Sequence, residues 1–498
     1  MSALPRWRLW LLFLLLSLAT RGPFLGIGFL NVDEAAHLVG SWELLRGGRL
    51  YADFADHKPP LIYVYYAVAQ LLLGHGLFAV RLFTAVVALP ATALGLAAVY
   101  GHDRRGAWAG AIFLVAGAAF LASDMQAVNG EVVMLWPAAW AMACVADAGS
   151  AGRAPRCFLA GLLLGLAVLV KPQAAFFLPA VAWAAGAPPG RRAARLAALA
   201  AGLAAPVALA LAVCTAQGTL RDFVYWNLTH NAAYTANPFD AEEAARRLAQ
   251  SLLPFLAATA PLWWAAARGQ RLLDPHRRGL LLGALAWSVP AVLLGLRLFP
   301  HYFIQLYLPL ALLAAPVAAA WTRPWPWSAR AAVSWTALLL AGFTAANLWL
   351  APRYEENRPV FAAVAAHLRA DACQADARLF VWGFAPGFYV ASEMRPASRF
   401  VVPTTTLSGY LPGNRSLDAV EARRLIRDDH WRLLLDDLER SRATYVLDTA
   451  ASGLHHWRGY PAFRFPPLWD LLRREFEPVA DVEGVQIYRR RGCDSQGR

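Results

Sequence analysis

Apolar runs of membrane-span length recur from the N-terminus to about Leu350 and then stop. A helix needs about 20 mostly apolar residues to cross a bilayer. Eleven stretches approach that length: Trp7–Phe29, Leu77–Tyr100, Ala107–Ala122, Val132–Ala146, Cys157–Val170, Ala174–Ala187, Leu196–Ala216, Leu248–Ala267, Gly279–Leu296, Tyr302–Trp321 and Ala329–Leu350. With 58% hydrophobic and 16% charged residues and a mean hydropathy of +0.40, the 498-residue chain falls outside the range of soluble domains. The expected fold is a polytopic α-helical membrane protein of about eleven transmembrane helices over residues 1–350. A C-terminal α/β domain follows over 351–498.

The net charge of +13 does not point to nucleic acid. Its arginines collect in alternate short loops: Arg6 and Arg8; Arg104 and Arg105; Arg153 and Arg156; Arg191, Arg192 and Arg195; Arg268, Arg271, Arg277 and Arg278; Arg323 and Arg330. That alternation marks the cytoplasmic side of a multi-pass protein. The N-terminus is then inside, and the C-terminal domain is extracytoplasmic. The opposite loops hold Asp33-Glu34, Asp124 to Glu131, Arg221 to Ala245 and Arg297 to His301. Reading the first span as a cleaved signal peptide leaves Asp33 outside as well.

Ala35–Leu45 and Pro59–Leu73 read as two helices lying at the outer interface, the first of them amphipathic. The alternative for the second is a twelfth span, which breaks the arginine alternation. In the C-terminal domain, Leu379–Gly383, Thr444–Asp448 and Val485–Arg489 read as strands and Asp418–Arg440 as a helix. Cys373 and Cys493 bracket this domain, and outside the cytoplasm they could pair. The five cysteines include no CxxC, which argues against a zinc site.

The external loop over residues 30–76 is dense in ionisable groups. Asp33 and Glu34 follow the first span, with Asp33 placed to cap a helix starting at Glu34. His37 lies one turn on, and Asp53, Asp56, His57 and Lys58 follow. Asn129 and Glu131 form a second outward group, and His301 marks a third position. His230, Asn231, Tyr234 and Asn237 occupy another external loop. The chain has only two lysines, Lys58 and Lys171, each before a proline. Lys171 ends a span and is expected to snorkel; Lys58 lies beside the acids.

The run Asp33-Glu34-Ala35-Ala36-His37, the Gly47-Gly48-x-x-Tyr51-x-Asp53 turn, Lys58-Pro59-Pro60-Leu61 and Arg81-Leu82 resemble the first external loop and second span of GT-C membrane glycosyltransferases. Asn129-Gly130-Glu131, Gly161 to Lys171, His301-Tyr302, Val381-Trp382-Gly383 and Ser398-Arg399-Phe400 fit the same family in order. The closest group resembled is the bacterial dolichyl-phosphate-mannose mannosyltransferase-like family (glycosyltransferase family 39), with the aminoarabinose and galacturonic acid transferases of lipopolysaccharide.

The resemblance implies sugar transfer from a polyprenyl-phosphate donor to a cell-envelope acceptor at the outer face of the bacterial cytoplasmic membrane. It maps the catalytic base to Asp33, with Glu34 assisting. Lys58 takes the donor phosphate, as a point charge suits a phosphate. The aminoarabinose transferases carry an Arg-Tyr pair after the acidic motif; Ala36-His37 stands here instead, leaving His37 as the phosphate-side substitute if protonated. Asp53, His57, Asn129, Glu131 and His301 remain further site candidates. No cofactor or metal is implied, although Asp33, Glu34 and Glu131 offer oxygen ligands of the kind a divalent ion takes. A transporter or flippase for lipid-linked sugars is the competing reading. It expects acids within the spans, where this chain has almost none. A non-catalytic scaffold is the third, and predicts that Asp33 is dispensable.

Overall fold

The computed structural model describes residues 3–117, 125–236, 241–320, 358–371, 376–412 and 423–493, with isolated positions between 334 and 349. The eleventh expected span, Asp124, Asn237, Cys373 and the Asp418 end of the expected C-terminal helix lie outside these residues. The chain divides into two compact units. The first comprises Met1–Ile27, Lys58–Gly218 and Ala232–Tyr354, and the second Gly28–His57, Thr219–Asn231 and Glu355–Arg498.

The first unit is helical. Among the described residues, four helices have the length and apolar composition to cross a membrane: Leu77–Val99, Arg192–Ala216, Pro275–Leu296 and Pro300–Ala319. Each coincides with an expected span. Shorter apolar helices include Leu61–Leu73, Gly130–Cys144 and Ala154–Val170. The N-terminal helix covers Arg6–Arg21 and gives way to a 3-10 turn at Gly22–Phe24, inside the stretch expected as one span. Pro300–Ala319 is the central helix, with 83% of its apolar window buried. Arg192–Ala216 is the opposite case at 17%, so its apolar side chains face the surroundings.

Small residues set how closely these helices pack. A Cβ on Gly161 would overlap the Leu199 carbonyl oxygen, and one on Gly202 would overlap that of Phe158. The helices Ala154–Val170 and Arg192–Ala216 therefore touch backbone to backbone. Gly165 meets Leu203 and Pro206 four residues further along both, so the two run parallel.

The second unit is built on a five-stranded sheet in the order β2-β1-β3-β5-β4. Its strands are β1 Arg378–Trp382, β2 Arg395–Pro396, β3 Tyr445–Asp448, β4 Phe476–Val482 and β5 Val485–Arg490. β1 pairs in parallel with β2 and β3, while β3–β5 and β5–β4 are antiparallel. β1 and β3 bury nearly every residue, which is why they read as continuous apolar runs. The β4–β5 hairpin turns on Glu483 and Gly484, both at positive φ (53° and 77°), as a two-residue hairpin requires. Cys493 is disulfide-bonded.

The helix Val32–Leu45 belongs to this second unit. The sequence reading placed it on the outer interface as an amphipathic element, but Glu34 to Ser41 are all buried. It packs against the helix Gly387–Ser392, and the Phe29 ring meets that of Phe361 at a tilt, with centroids 4.7 Å apart. Ala55 N–H donates to the Arg399 carbonyl at 2.9 Å. Asp437 accepts from the Ser398 hydroxyl and from the backbone and side chain of Arg399, which fixes that carbonyl in place.

Candidate active site

In the helical unit the polar groups converge on Glu131. Gly130 and Glu131 open the helix Gly130–Cys144, where an acid is favoured by the helix dipole. The Glu131 carboxylate is 2% exposed and ion-paired with the Lys171 ammonium through Oε1. His301 Nε2 lies 3.9 Å from the same oxygen. The Tyr302 ring centroid is 5.0 Å from the Lys171 ammonium nitrogen, a cation–π contact. Lys58 is close enough for its charge to act on Glu131.

Gly130 makes room for this pair, since a Cβ there would stand 3.0 Å from the Lys171 Cδ. Glu131 Oε2 is buried with no hydrogen-bond partner among the described residues.

The structure thus brings Lys58, Glu131 and His301 into one cluster, with Asn129 preceding its helix. It adds Lys171 and Tyr302, which are not among the site candidates the sequence suggests. Lys171 does not snorkel: it is buried, at 5% exposure. An isolated ammonium in apolar surroundings carries a large desolvation penalty, and a buried carboxylate offsets part of it. One signal pointed to this residue, namely that the only two lysines both stand before proline.

In the second unit Asp33 and Glu34 occupy the first turn of Val32–Leu45. The cap is Asn31, whose side chain accepts from Asp33 N–H at 2.8 Å; Asp33 is not the cap expected from sequence. Asp33 is half-buried, whereas Glu34 and His37 are buried one turn apart on the same helix.

Asp53 turns inward on its own loop. It accepts from Arg49 Nε at 3.1 Å, Nη2 at 3.2 Å and backbone N–H at 2.8 Å. Burial pushes its carboxyl up, but the Arg49 hydrogen bonds outweigh burial and hold it below the ordinary value. A carboxylate so engaged is a poor proton acceptor and reads as a loop clasp.

His57 pairs through Nδ1 with Asp56 at 2.9 Å, and its carbonyl accepts from Asn231 Nδ2 at 2.9 Å. Its ring lies 5.7 Å from that of His230. His230 ends a π-helical turn, Tyr225–His230, of the kind that recurs at functional sites. Trp226 of this turn packs against His230, Phe400 and His430. Tyr234 belongs to the first unit, where the buried Arg297 donates to its carbonyl at 3.1 Å and stacks on its ring. Among the described residues, no group of three or more His, Cys, Asp or Glu side chains is arranged to hold a metal ion.

Apolar spanning helices, a charge cluster buried among them and a second α/β unit define an integral membrane protein, and its fold is GT-C. The chain resembles ArnT from Cupriavidus metallidurans in the apo state, with a TM-score of 0.58 at 16% identity over 96% of this chain and 97% of that one. The same enzyme bound to undecaprenyl phosphate matches with a TM-score of 0.58 at 14% identity over the same shares of both chains. The oligosaccharyltransferase of Archaeoglobus fulgidus, in the apo form, matches at 0.51 and 12% identity over 93% of this chain and 72% of that one. No family model matches the chain, and no curated protein does.

Proposed function

We propose that this protein is an inverting glycosyltransferase that moves a sugar from a polyprenyl-phosphate donor to a cell-envelope acceptor on the outer face of the bacterial cytoplasmic membrane. The observation that carries the reading is the GT-C fold over 96% of the chain, shared with a structure bound to undecaprenyl phosphate. In this reading the chain crosses the membrane eleven times. Residues 1–350 form the catalytic domain, with the external loop 30–76, and 351–498 the extracytoplasmic one.

Asp33 is the general base. It takes the proton of an acceptor hydroxyl as that oxygen bonds to the anomeric carbon. The bond from that carbon to the phosphate oxygen breaks, and the phosphate leaves with the polyprenol. One displacement inverts the centre. Glu34, buried in the same first turn, assists Asp33, and His37, one turn on, is the second group on the donor-phosphate side when protonated. Lys58 supplies fixed positive charge to the leaving phosphate, where charge develops in the transition state.

Glu131 Oε2 is an acceptor of the kind a sugar or acceptor hydroxyl satisfies, with His301 and Asn129 beside it in sequence or space. Asp53 and His57 act as loop clasps rather than reacting groups. The reaction needs no cofactor in this scheme.

The test is transfer by the full chain reconstituted in liposomes with a panel of polyprenyl-phosphate sugars and envelope acceptors. Transfer is expected for at least one donor and is abolished in Asp33→Asn. Sugar-independent movement of the lipid donor across the bilayer, with no product, supports the flippase reading instead.

A further inference from the structure

The helical unit contains a basic cavity on the arginine-rich side of the spans, apart from the Glu131 cluster. A cavity of about 640 Å3 is lined by Gly152, Arg153, Arg156, Leu159, Arg191 and Arg195. Its volume is within the range of small-molecule sites. No acidic side chain lines it. Its walls are the starts of Ala154–Val170 and Arg192–Ala216, the two parallel helices that touch through Gly161 and Gly202. Both N-termini therefore open on the same face and add their dipoles to the arginine charge.

The four arginines are not equivalent. Arg195 is 2% exposed and holds the preceding turn, donating to the carbonyls of Ala185, Pro188 and Gly190. It is a strut. Arg153, Arg156 and Arg191 are exposed around the cavity.

The surface continuing from the cavity is apolar. Phe158 and Leu159 are exposed on one helix, and Leu209 and Val213 further along the other. Arg192–Ala216 faces outward along most of its length. A basic pocket that opens onto lipid-facing helix surface combines the two features of a phospholipid: an anionic headgroup and acyl chains. A soluble anion uses the first feature and leaves the second unexplained. Basic pockets between spans on the cytoplasmic side are known headgroup sites.

We propose that the cavity between Arg153, Arg156 and Arg191 binds the phosphate headgroup of an anionic phospholipid, with its acyl chains along Phe158 and Leu159. The bound lipid clamps the starts of the two parallel helices. This site stands apart from the transfer reaction and does not depend on it.

Native mass spectrometry of the full, delipidated protein, titrated with phosphatidylglycerol or phosphatidylcholine, tests it. Phosphatidylglycerol is expected to bind at least about tenfold more tightly, because each arginine near the headgroup adds favourable charge interaction. The triple variant Arg153→Gln/Arg156→Gln/Arg191→Gln should lose that preference. Arg6→Gln/Arg8→Gln, which removes charge from the same side outside the cavity, should keep it. The single variant Arg191→Gln is the milder probe, expected to weaken binding several-fold in protein that is still monodisperse.

Equal binding of both lipids by the wild type overturns the proposal. So does an unchanged preference in the single and triple variants, or an equal loss in the Arg6/Arg8 control. Displacement of the lipid by millimolar inorganic phosphate also overturns it, because it identifies a free-anion site.

Discussion

The Lys171 ammonium is paired with the Glu131 carboxylate inside the helical unit, their side chains 7% and 2% exposed. Removing one member of a buried pair strands the other charge. Lys171→Met is expected to destabilise the protein by about 3–5 kcal/mol. Glu131→Gln should cost a similar amount by stranding the ammonium. The double variant Glu131→Gln/Lys171→Met removes both charges and should recover most of the loss. Thermal unfolding in detergent micelles, run as a double-mutant cycle, measures the coupling. Additive losses in the double variant would show that the two charges do not depend on each other.

The roles proposed for Asp33 and Lys58 separate in kinetics. A general base acts on the chemical step, so Asp33→Asn should lower kcat by about 10²–10⁴-fold with little change in donor KM. Lys58→Ala removes a phosphate partner in both ground and transition states. It should raise donor KM and lower kcat, with Lys58→Arg restoring part of each because the charge returns in a different shape. Steady-state assays with a defined polyprenyl-phosphate sugar distinguish the two patterns. A Lys58→Ala enzyme with wild-type donor KM would remove Lys58 from the phosphate.

Hydropathy located the four long apolar helices and the strands β1 and β3 because both are one-dimensional signals. Leu77–Val99 and Leu379–Phe380-Val381-Trp382 are apolar wherever their partners come from. Lys171 was different. A lysine at the end of an apolar run looks the same whether it snorkels or pairs, and its partner lies 40 residues away in sequence. Likewise, the burial of Glu34 to Ser41 depends on Gly387–Ser392, far along the chain. The cap was a local question with two good answers, Asn31 and Asp33, and backbone geometry chose the first.

Asp437 is expected to be a stability determinant of the second unit. It accepts from Ser398 Oγ at 3.1 Å, from Arg399 N–H at 3.1 Å, and from Arg399 Nε and Nη2 at 2.9 Å each. It therefore sets the conformation of the Ser398-Arg399 segment, whose carbonyl holds Ala55. Hydrogen bonds to charged groups are worth about 1.5–3 kcal/mol. Asp437→Ala should cost about 2–3 kcal/mol, and Asp437→Asn somewhat less, in chemical denaturation of the purified protein. A cost below about 0.5 kcal/mol, the usual size for a surface substitution, would contradict this assignment.

Three histidines in the second unit make its stability depend on pH. Burial lowers His430 to about 4, with Asp429 opposing and Arg427 and Arg399 reinforcing. Burial, helped by His456, lowers His455 to about 4. Burial and the charge of His57 lower His230 to about 3, against Asp56. An unfolded histidine titrates near 6.5. Between that value and the folded ones the unfolded chain binds more protons, so stability rises with pH. The contribution is present above about pH 6.5 and is lost as pH falls toward 4. Each histidine contributes at most about 1.4 kcal/mol per pH unit. Tryptophan fluorescence unfolding at pH 7.5, 6.5 and 5.5 should show a falling midpoint. His430→Gln, which removes one titrating ring beside Thr406, should flatten the trend over the same interval. A wild-type midpoint that stays level or rises on acidification to pH 5.5 would rule out rings held neutral at these positions.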